Sequence, residues 1–261
     1  MTSSSPSADN GWIRTSRDGA VLTVTLDRAD QLNAQTPATW LTLADVGASL
    51  DDDVRVVVLR GEGRSFSAGL DRSLFSAQPS TDGGLGELGR MPAEQAQERI
   101  RAYQAGFRWL RSPGIVSVAA VQGHAIGAGA QLALACDLRV LADDASLRLP
   151  EATLGLVPDL TGTSTLMELV GYSRAMEICL TGRAVKAPEA QALGLANVVV
   201  GAADLDATVA DLVAALTAPP VEASRATAAL IRSAVRNDFA AQDAAERAAQ
   251  VQRLHALVTG S

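Results

Sequence analysis

Ten residues in the middle of the chain, Gln122-Gly123-His124-Ala125-Ile126-Gly127-Ala128-Gly129-Ala130-Gln131, constrain its fold more than any other stretch. An apolar run over residues 115–121 leads into them, and an Ala- and Leu-rich run over 132–136 leads out. The first run predicts a buried strand and the second a helix. Glycines at 123, 127 and 129 permit a tight turn and a close backbone approach to a ligand. The start of a helix carries unpaired N–H groups and the positive end of its dipole, so this junction suits an anionic oxygen. A strand-to-helix turn that binds nothing fits the same residues equally well, and the rest of the chain decides.

The flanking sequence alternates strands with helices. Residues 12–17 and 20–26 read as a hairpin around Arg17-Asp18-Gly19. Thr36-Pro37 offers an N-cap and a first-turn proline for a helix to about Leu50. Residues 54–59 form an apolar, β-branched strand suited to burial on both faces. A second Gly-rich loop follows at residues 61–71, then an aperiodic loop over 76–92 and a helix over 92–111. Beyond the central stretch, strands are expected at 137–141, 145–149 and 198–200. Helices are expected at 163–169, 173–180 and 186–194. The last 60 residues read as three helices, 204–216, 221–235 and 239–257. The expectation is an α/β core with a helical C-terminal region. Residues 1–10 form a loose tail, 11–200 the core and 201–261 the helical region.

Several function classes are disfavoured. The formal net charge of -7 argues against non-specific nucleic-acid binding. Two cysteines, Cys136 and Cys179, are too few for a disulfide framework, and a reduced, cytoplasmic setting is expected. His124 and His255 stand far apart and no CxxC or HExxH occurs, so no metal site is expected. The Ser-rich residues 1–10 have no apolar core and do not read as a secretory signal, and no apolar run reaches membrane-span length. The two Gly-rich loops fit neither a phosphate-binding loop, since Lys186 is the only lysine, nor the GxGxxG dinucleotide fingerprint.

An ordered set of short motifs points further. They are Leu26-Asp27-Arg28 with Asn33-Ala34, Phe66-Ser67-Ala68-Gly69-Leu70-Asp71, Val121-Gln122-Gly123, Gly127-Ala128-Gly129 and Cys136-Asp137. Pro150-Glu151, Gly155, Pro158, Leu180-Thr181-Gly182-Arg183 and Ala192-Leu193-Gly194-Leu195-Ala196 continue the series. Over residues 12–257 the set resembles the crotonase superfamily, the enoyl-CoA hydratase/isomerase family. The resemblance implies a spiral of ββα units whose C-terminal helices complete homotrimers, often paired into hexamers. It implies an acyl-CoA thioester as substrate, with coenzyme A as part of that substrate and no separate cofactor.

Carried over by position, the resemblance makes the backbone N–H groups of Leu70 and Ala128 an oxyanion hole for a thioester enolate. One preorganised donor of that kind is worth about 3–4 kcal/mol of barrier. Arg28, Ala68, Gly69, Gly127 and Gln131 fall at substrate- or CoA-facing positions, although Arg28 could equally be a solvated surface charge. Hydratases of the family use two glutamates twenty positions apart. Here the second is Glu151, while the first position holds Gln131, an amide that orients by hydrogen bonds and carries no proton. Asp159, eight residues after Glu151, matches an acid found in relatives that shift double bonds in dienoyl-CoA substrates. Two carboxyl groups in one apolar pocket separate their pKa values.

The expected function is therefore double-bond isomerisation of an enoyl-CoA, with Glu151 and Asp159 as acid/base groups. The alternatives are a hydratase proper, another reaction on the same scaffold, or a non-catalytic acyl-CoA binder. Asp159 could instead cap the helix after Gly162, and Asp71 one beginning near Arg72. A lysine that relatives carry in the second-last helix aligns with Ala228, leaving Arg232 or Arg236 as substitutes.

Overall fold

The computed structural model describes residues 7, 10–75 and 84–259. The loose tail expected at 1–10 lies outside the described residues except for Ser7 and Asn10, and so does the 76–83 part of the aperiodic loop. The chain begins with the expected hairpin, β1 (Ile13–Asp18) and β2 (Val21–Leu26), paired antiparallel. Next come α1 (Pro37–Ala48) and β3 (Val56–Gly61). The short α2 (Leu85–Leu88) sits in the remainder of the 76–92 loop, and α3 (Ala93–Arg108) follows. The central stretch then runs through β4 (Val116–Val121), β5 (His124–Ile126) and α4 (Ala128–Ala135). After it come β6 (Leu138–Ala142), β7 (Ser146–Arg148), α5 (Gly162–Val170), α6 (Tyr172–Thr181), β8 (Ala184–Lys186), α7 (Ala187–Ala192) and β9 (Val198–Val200). Three helices close the chain: α8 (Leu205–Thr217), α9 (Val221–Ala234) and α10 (Phe239–Thr259).

Two sheets share the strands. The larger has the order β1-β2-β3-β4-β6-β9 and is parallel from β2 onward. The smaller has the order β5-β7-β8. The chain visits the large sheet, then the small one, then a helix: β4, β5, α4, and again β6, β7, α5. An isolated parallel bridge between Ser67 and Ala125 extends the small sheet back to the turn after β3. This is an α/β core with a helical C-terminal region, as the pattern of strands and helices predicts, arranged as the spiral of ββα units that the family resemblance implies.

The inner parallel strands β3, β4 and β6 are buried on both faces, which explains their apolar runs. Val57, Leu59, Ala119, Val121 and Leu141 face the main core beneath α1, α3 and α4. Val56, Val58, Val118, Ala120, Val140 and Ala142 face Leu205 and Val209 of α8. By contrast, α9 and α10 contain no fully buried residue. Arginines join α9 to the core: Arg225 donates to the carbonyls of Asp52 and Gly114, and Arg232 to those of Ser112 and Ile115 and to Asp137 Oδ2. Among the described residues, no helix is long and apolar enough to cross a membrane.

Candidate active site

The two Gly-rich loops meet at the ends of β3 and β4. Ser67 N–H donates to the His124 carbonyl at 2.8 Å, and Ile126 N–H donates back to Ser67 at 3.0 Å. Gly69 sits at φ +86°, and a Cβ built on it would stand 2.3 Å from the Ile126 carbonyl oxygen. Only glycine lets the loops approach this closely. The same hypothetical Cβ would lie 3.5 Å from the Ala128 nitrogen, so the two expected donor segments are neighbours.

Both expected donors are free. Gln35 N–H donates to the Gly69 carbonyl at 2.7 Å, and Asp71 N–H donates to the Gln35 carbonyl at 2.8 Å. In this parallel bridge the intervening Leu70 turns its own N–H away from Gln35. Gly127, at φ +53° and ψ -119°, is the N-cap of α4, and Gln131 N–H makes the first intrahelical bond to its carbonyl. The Ala128 N–H therefore precedes the helical ladder. Among the described residues no protein acceptor takes the Leu70 or the Ala128 N–H.

A buried carboxyl group faces this backbone. Glu151, 8% exposed, opens a single helical turn over Glu151–Leu154, and its Oε1 lies 3.5 Å from where a Cβ on Gly127 would be. Gln131 Nε2 donates to Glu151 Oε1 at 2.8 Å. The other oxygen, Oε2, is buried with no hydrogen-bond partner. Burial pushes the Glu151 carboxyl above the ordinary 4.5, opposed by its own backbone N–H and by Gln131, with the nearby Asp159 charge adding to the rise. Asp159 is half-buried, and burial raises its carboxyl too.

Gln131 is 1% exposed and holds this wall together. Its Oε1 accepts the N–H groups of Leu160 at 2.8 Å and Gly162 at 3.2 Å. Two donors on the oxygen fix the amide's orientation and leave the nitrogen to face Glu151. Thr161, between those donors, is left-handed at φ +72°, an unusual conformation for a β-branched residue. Gln104 Nε2 on α3 donates to the Asp159 carbonyl at 2.7 Å.

The remaining expected residues fall as follows. Arg28 pairs with Asp71 and lies 3.9 Å over the Trp12 ring, tying the loop after β2 to the Gly-rich loop after β3. Ala68 is half-buried, its N–H donating to the Leu32 carbonyl. Asp71 caps the short turn Arg72–Phe75 through Ser73 N–H. Asp159 does not cap α5, whose N-cap is Thr161. Arg232 is engaged by the core as described. His124 is exposed, with Nδ1 3.1 Å from Ser146 Oγ, and the Cys136 thiol is buried and pushed up to about 12. Sequence reading did not single out Gln35, Gln104 or Thr161. Two are lone polar residues in otherwise ordinary contexts, and a threonine does not announce a left-handed turn as a glycine would.

The model of the enoyl-CoA hydratase/isomerase family matches residues 16–259. The peroxisomal Delta(3,5)-Delta(2,4)-dienoyl-CoA isomerase of Arabidopsis thaliana is 33% identical over 191 residues, covering 72% of this chain and 68% of that one. A Thermobifida fusca YX protein described as an enoyl-CoA hydratase, solved in complex with acetoacetyl-CoA, is 48% identical with a TM-score of 0.90, covering 97% of this chain and 99% of that one. An enoyl-CoA hydratase from Polaromonas sp. JS666 is 30% identical with a TM-score of 0.83, over 95% of this chain and 93% of that one.

Proposed function

This chain belongs to the enoyl-CoA hydratase/isomerase family, and we propose that it binds an acyl-CoA thioester and moves a double bond along its acyl chain. Coenzyme A enters as part of the substrate, as in the Thermobifida fusca relative crystallised with acetoacetyl-CoA. The thioester oxygen lies against the Leu70 and Ala128 N–H groups, which stabilise the negative charge that develops as a proton leaves the acyl chain. Glu151 takes that proton on Oε2 and returns it to a different carbon, so the double bond shifts and no atom is gained or lost. With a dienoyl substrate, Asp159 serves the second carbon, and burial, by raising both carboxyl groups, makes each a stronger proton acceptor than an exposed carboxylate.

The observation that carries isomerisation over hydration is the Gln131 amide. Hydration in this family needs a second carboxylate beside Glu151, and here that place is filled by an amide. Its oxygen is committed to Leu160 and Gly162 and its nitrogen to Glu151.

The test is incubation of the purified protein with 2-enoyl-, 3-enoyl- and 3,5-dienoyl-CoA, followed by absorbance and mass. A shifted chromophore at unchanged mass is expected; a product heavier by one water would refute the choice of reaction. Glu151→Gln should lower kcat by ~10²–10⁴-fold while sparing CoA affinity, since it removes the proton carrier and keeps an acceptor for Gln131. Glu151 must be ionised to act as a base. Its raised pKa therefore predicts that kcat/KM falls with falling pH along a limb above the ordinary 4.5.

The homotrimer or hexamer is part of the same proposal, and what supports an assembly is apolar surface left uncovered on α10, where Phe239, Leu257 and Val258 are 92%, 80% and 87% exposed. Light scattering should give a multiple of three times the 27.0 kDa chain mass.

A further inference from the structure

Behind Leu70 lies a buried polar network that joins the loop before α1, α1 itself and the Gly-rich loop after β3. Gln35 is 0% exposed. Its Nε2 donates to Ser67 Oγ at 3.0 Å, and its Oε1 accepts Trp40 Nε1 at 2.8 Å. Ser67 Oγ in turn donates to the Asn33 carbonyl at 2.8 Å and accepts Gly69 N–H at 3.2 Å. That hydroxyl has one proton and two lone pairs, and all three are used. Ser67 also touches the other loop: a Cβ on Gly129 would stand 2.8 Å from Ser67 Cβ. Trp40 is fixed in turn by α3, its ring 5.0 Å from Tyr103.

Resting on the reading that Leu70 N–H binds the thioester oxygen, we infer that the Gln35 side chain is a positioning residue for that donor. It acts through Ser67 and is anchored by Trp40. The main-chain bridge to Gln35 sets which way Leu70 N–H points. The side-chain network sets how far Gly69 and Leu70 stand from α4, and hence the spacing of the two donors. A buried network with all partners present specifies one arrangement, whereas a broken one leaves costly unpaired groups that shift to find new partners.

The experiment uses the full-length protein with acetoacetyl-CoA, whose bound enolate is read by near-ultraviolet absorbance, alongside kcat, KM and CoA affinity. Gln35→Leu removes both side-chain bonds and keeps the backbone bridge. Expected is a kcat loss of ~10–100-fold, the range for a small misplacement of a reacting group, with a parallel loss of the enolate band. KM and CoA affinity should stay within about twofold, since uniform binding is untouched. Wild-type kcat and a wild-type enolate band in folded Gln35→Leu would overturn the positioning role. Trp40→Phe, which keeps an aromatic ring against Tyr103 but removes the indole donor and part of the ring volume, gives the same test at smaller amplitude should Gln35→Leu misfold. If the wild-type protein itself yields no enolate band and turns over no thioester, the reading of the Leu70 donor fails, an outcome separable from failure of Gln35 alone.

Discussion

The two walls of the candidate site are held in different ways. The donor wall is backbone against backbone. Phe66 and Ser67 N–H pair with Gln122 and His124 carbonyls, Ile126 N–H returns to Ser67, and Gln35 brackets Leu70 on both sides. The carboxyl wall depends on single side chains. One Gln131 amide joins Glu151 to the 160–162 turn, and one Gln104 amide holds the Asp159 carbonyl. Backbone bonding does not depend on side-chain identity, so Leu70 and Ala128 can serve as donors whatever their side chains. A wall set by individual side chains changes its chemistry with each substitution, and this wall decides between moving a proton and adding water.

The donor wall should therefore fail worst when the backbone itself is forced apart, beyond the partial loss expected on removing the Gln35 side chain behind it. Gly69→Ala would place a methyl group 2.3 Å from the Ile126 carbonyl oxygen, in a conformation at φ +86° that disfavours any side chain. The loops must separate, and the Leu70 N–H leaves its place beside Ala128. Loss of one such donor costs about 10²–10³-fold in kcat. An activity within a few-fold of wild type in the folded Gly69→Ala protein would show that the donor wall tolerates displacement.

The carboxyl wall should yield to removal of one amide. Gln131→Ala leaves the buried N–H groups of Leu160 and Gly162 without their acceptor and frees Glu151 Oε1. An unsatisfied buried polar group costs ~1–3 kcal/mol, and the opened space can admit a water that recovers part of it. Chemical denaturation should register a destabilisation in that range. The acid limb of the pH–rate profile should move upward, because Gln131 is one of the groups that lower the Glu151 pKa against the dominant effect of burial. An unmoved limb would mean that the amide does not govern Glu151.

The same contrast explains how much of the molecule could be read from its sequence. The large sheet was legible because its hairpin alternates and its inner strands are apolar on both faces, and the donor wall because its glycines mark close approaches and the family resemblance places Leu70 and Ala128 beside them. β5 and β8 were not foreseen, since three residues are too few to carry a period-two pattern. α4 begins at Ala128, earlier than expected: it is buried on every side and has no polar face to mark its start. Glu151 and Asp159 were named by the family resemblance, which matches them by position. The role of Gln131 was not, because its partners lie 29 and 31 positions onward and meet it only through the turn at Thr161.

That turn offers the smallest and most selective probe of the comparison. Thr161 holds φ +72° and ψ -1°, and its carbonyl, not its hydroxyl, takes the bonds from Ser164 and Thr165. A β-branched residue in the left-handed region stores ~1–3 kcal/mol of strain. Glycine relieves that strain and returns about 0.5–1 kcal/mol of it through the added freedom of the unfolded chain. Thr161→Gly should thus stabilise the protein by roughly 1 kcal/mol, raising Tm by ~2–4 °C for a chain of this size. The Gln131 bonds to Leu160 and Gly162 involve backbone atoms and survive the change, so kcat should hold. If Thr161→Gly instead lowers kcat while raising Tm, the strained turn presses Asp159 toward Glu151, and the carboxyl wall uses that strain to keep its two acids together. If both stay at wild-type values, the 160–162 turn costs nothing and Gln131 merely follows it.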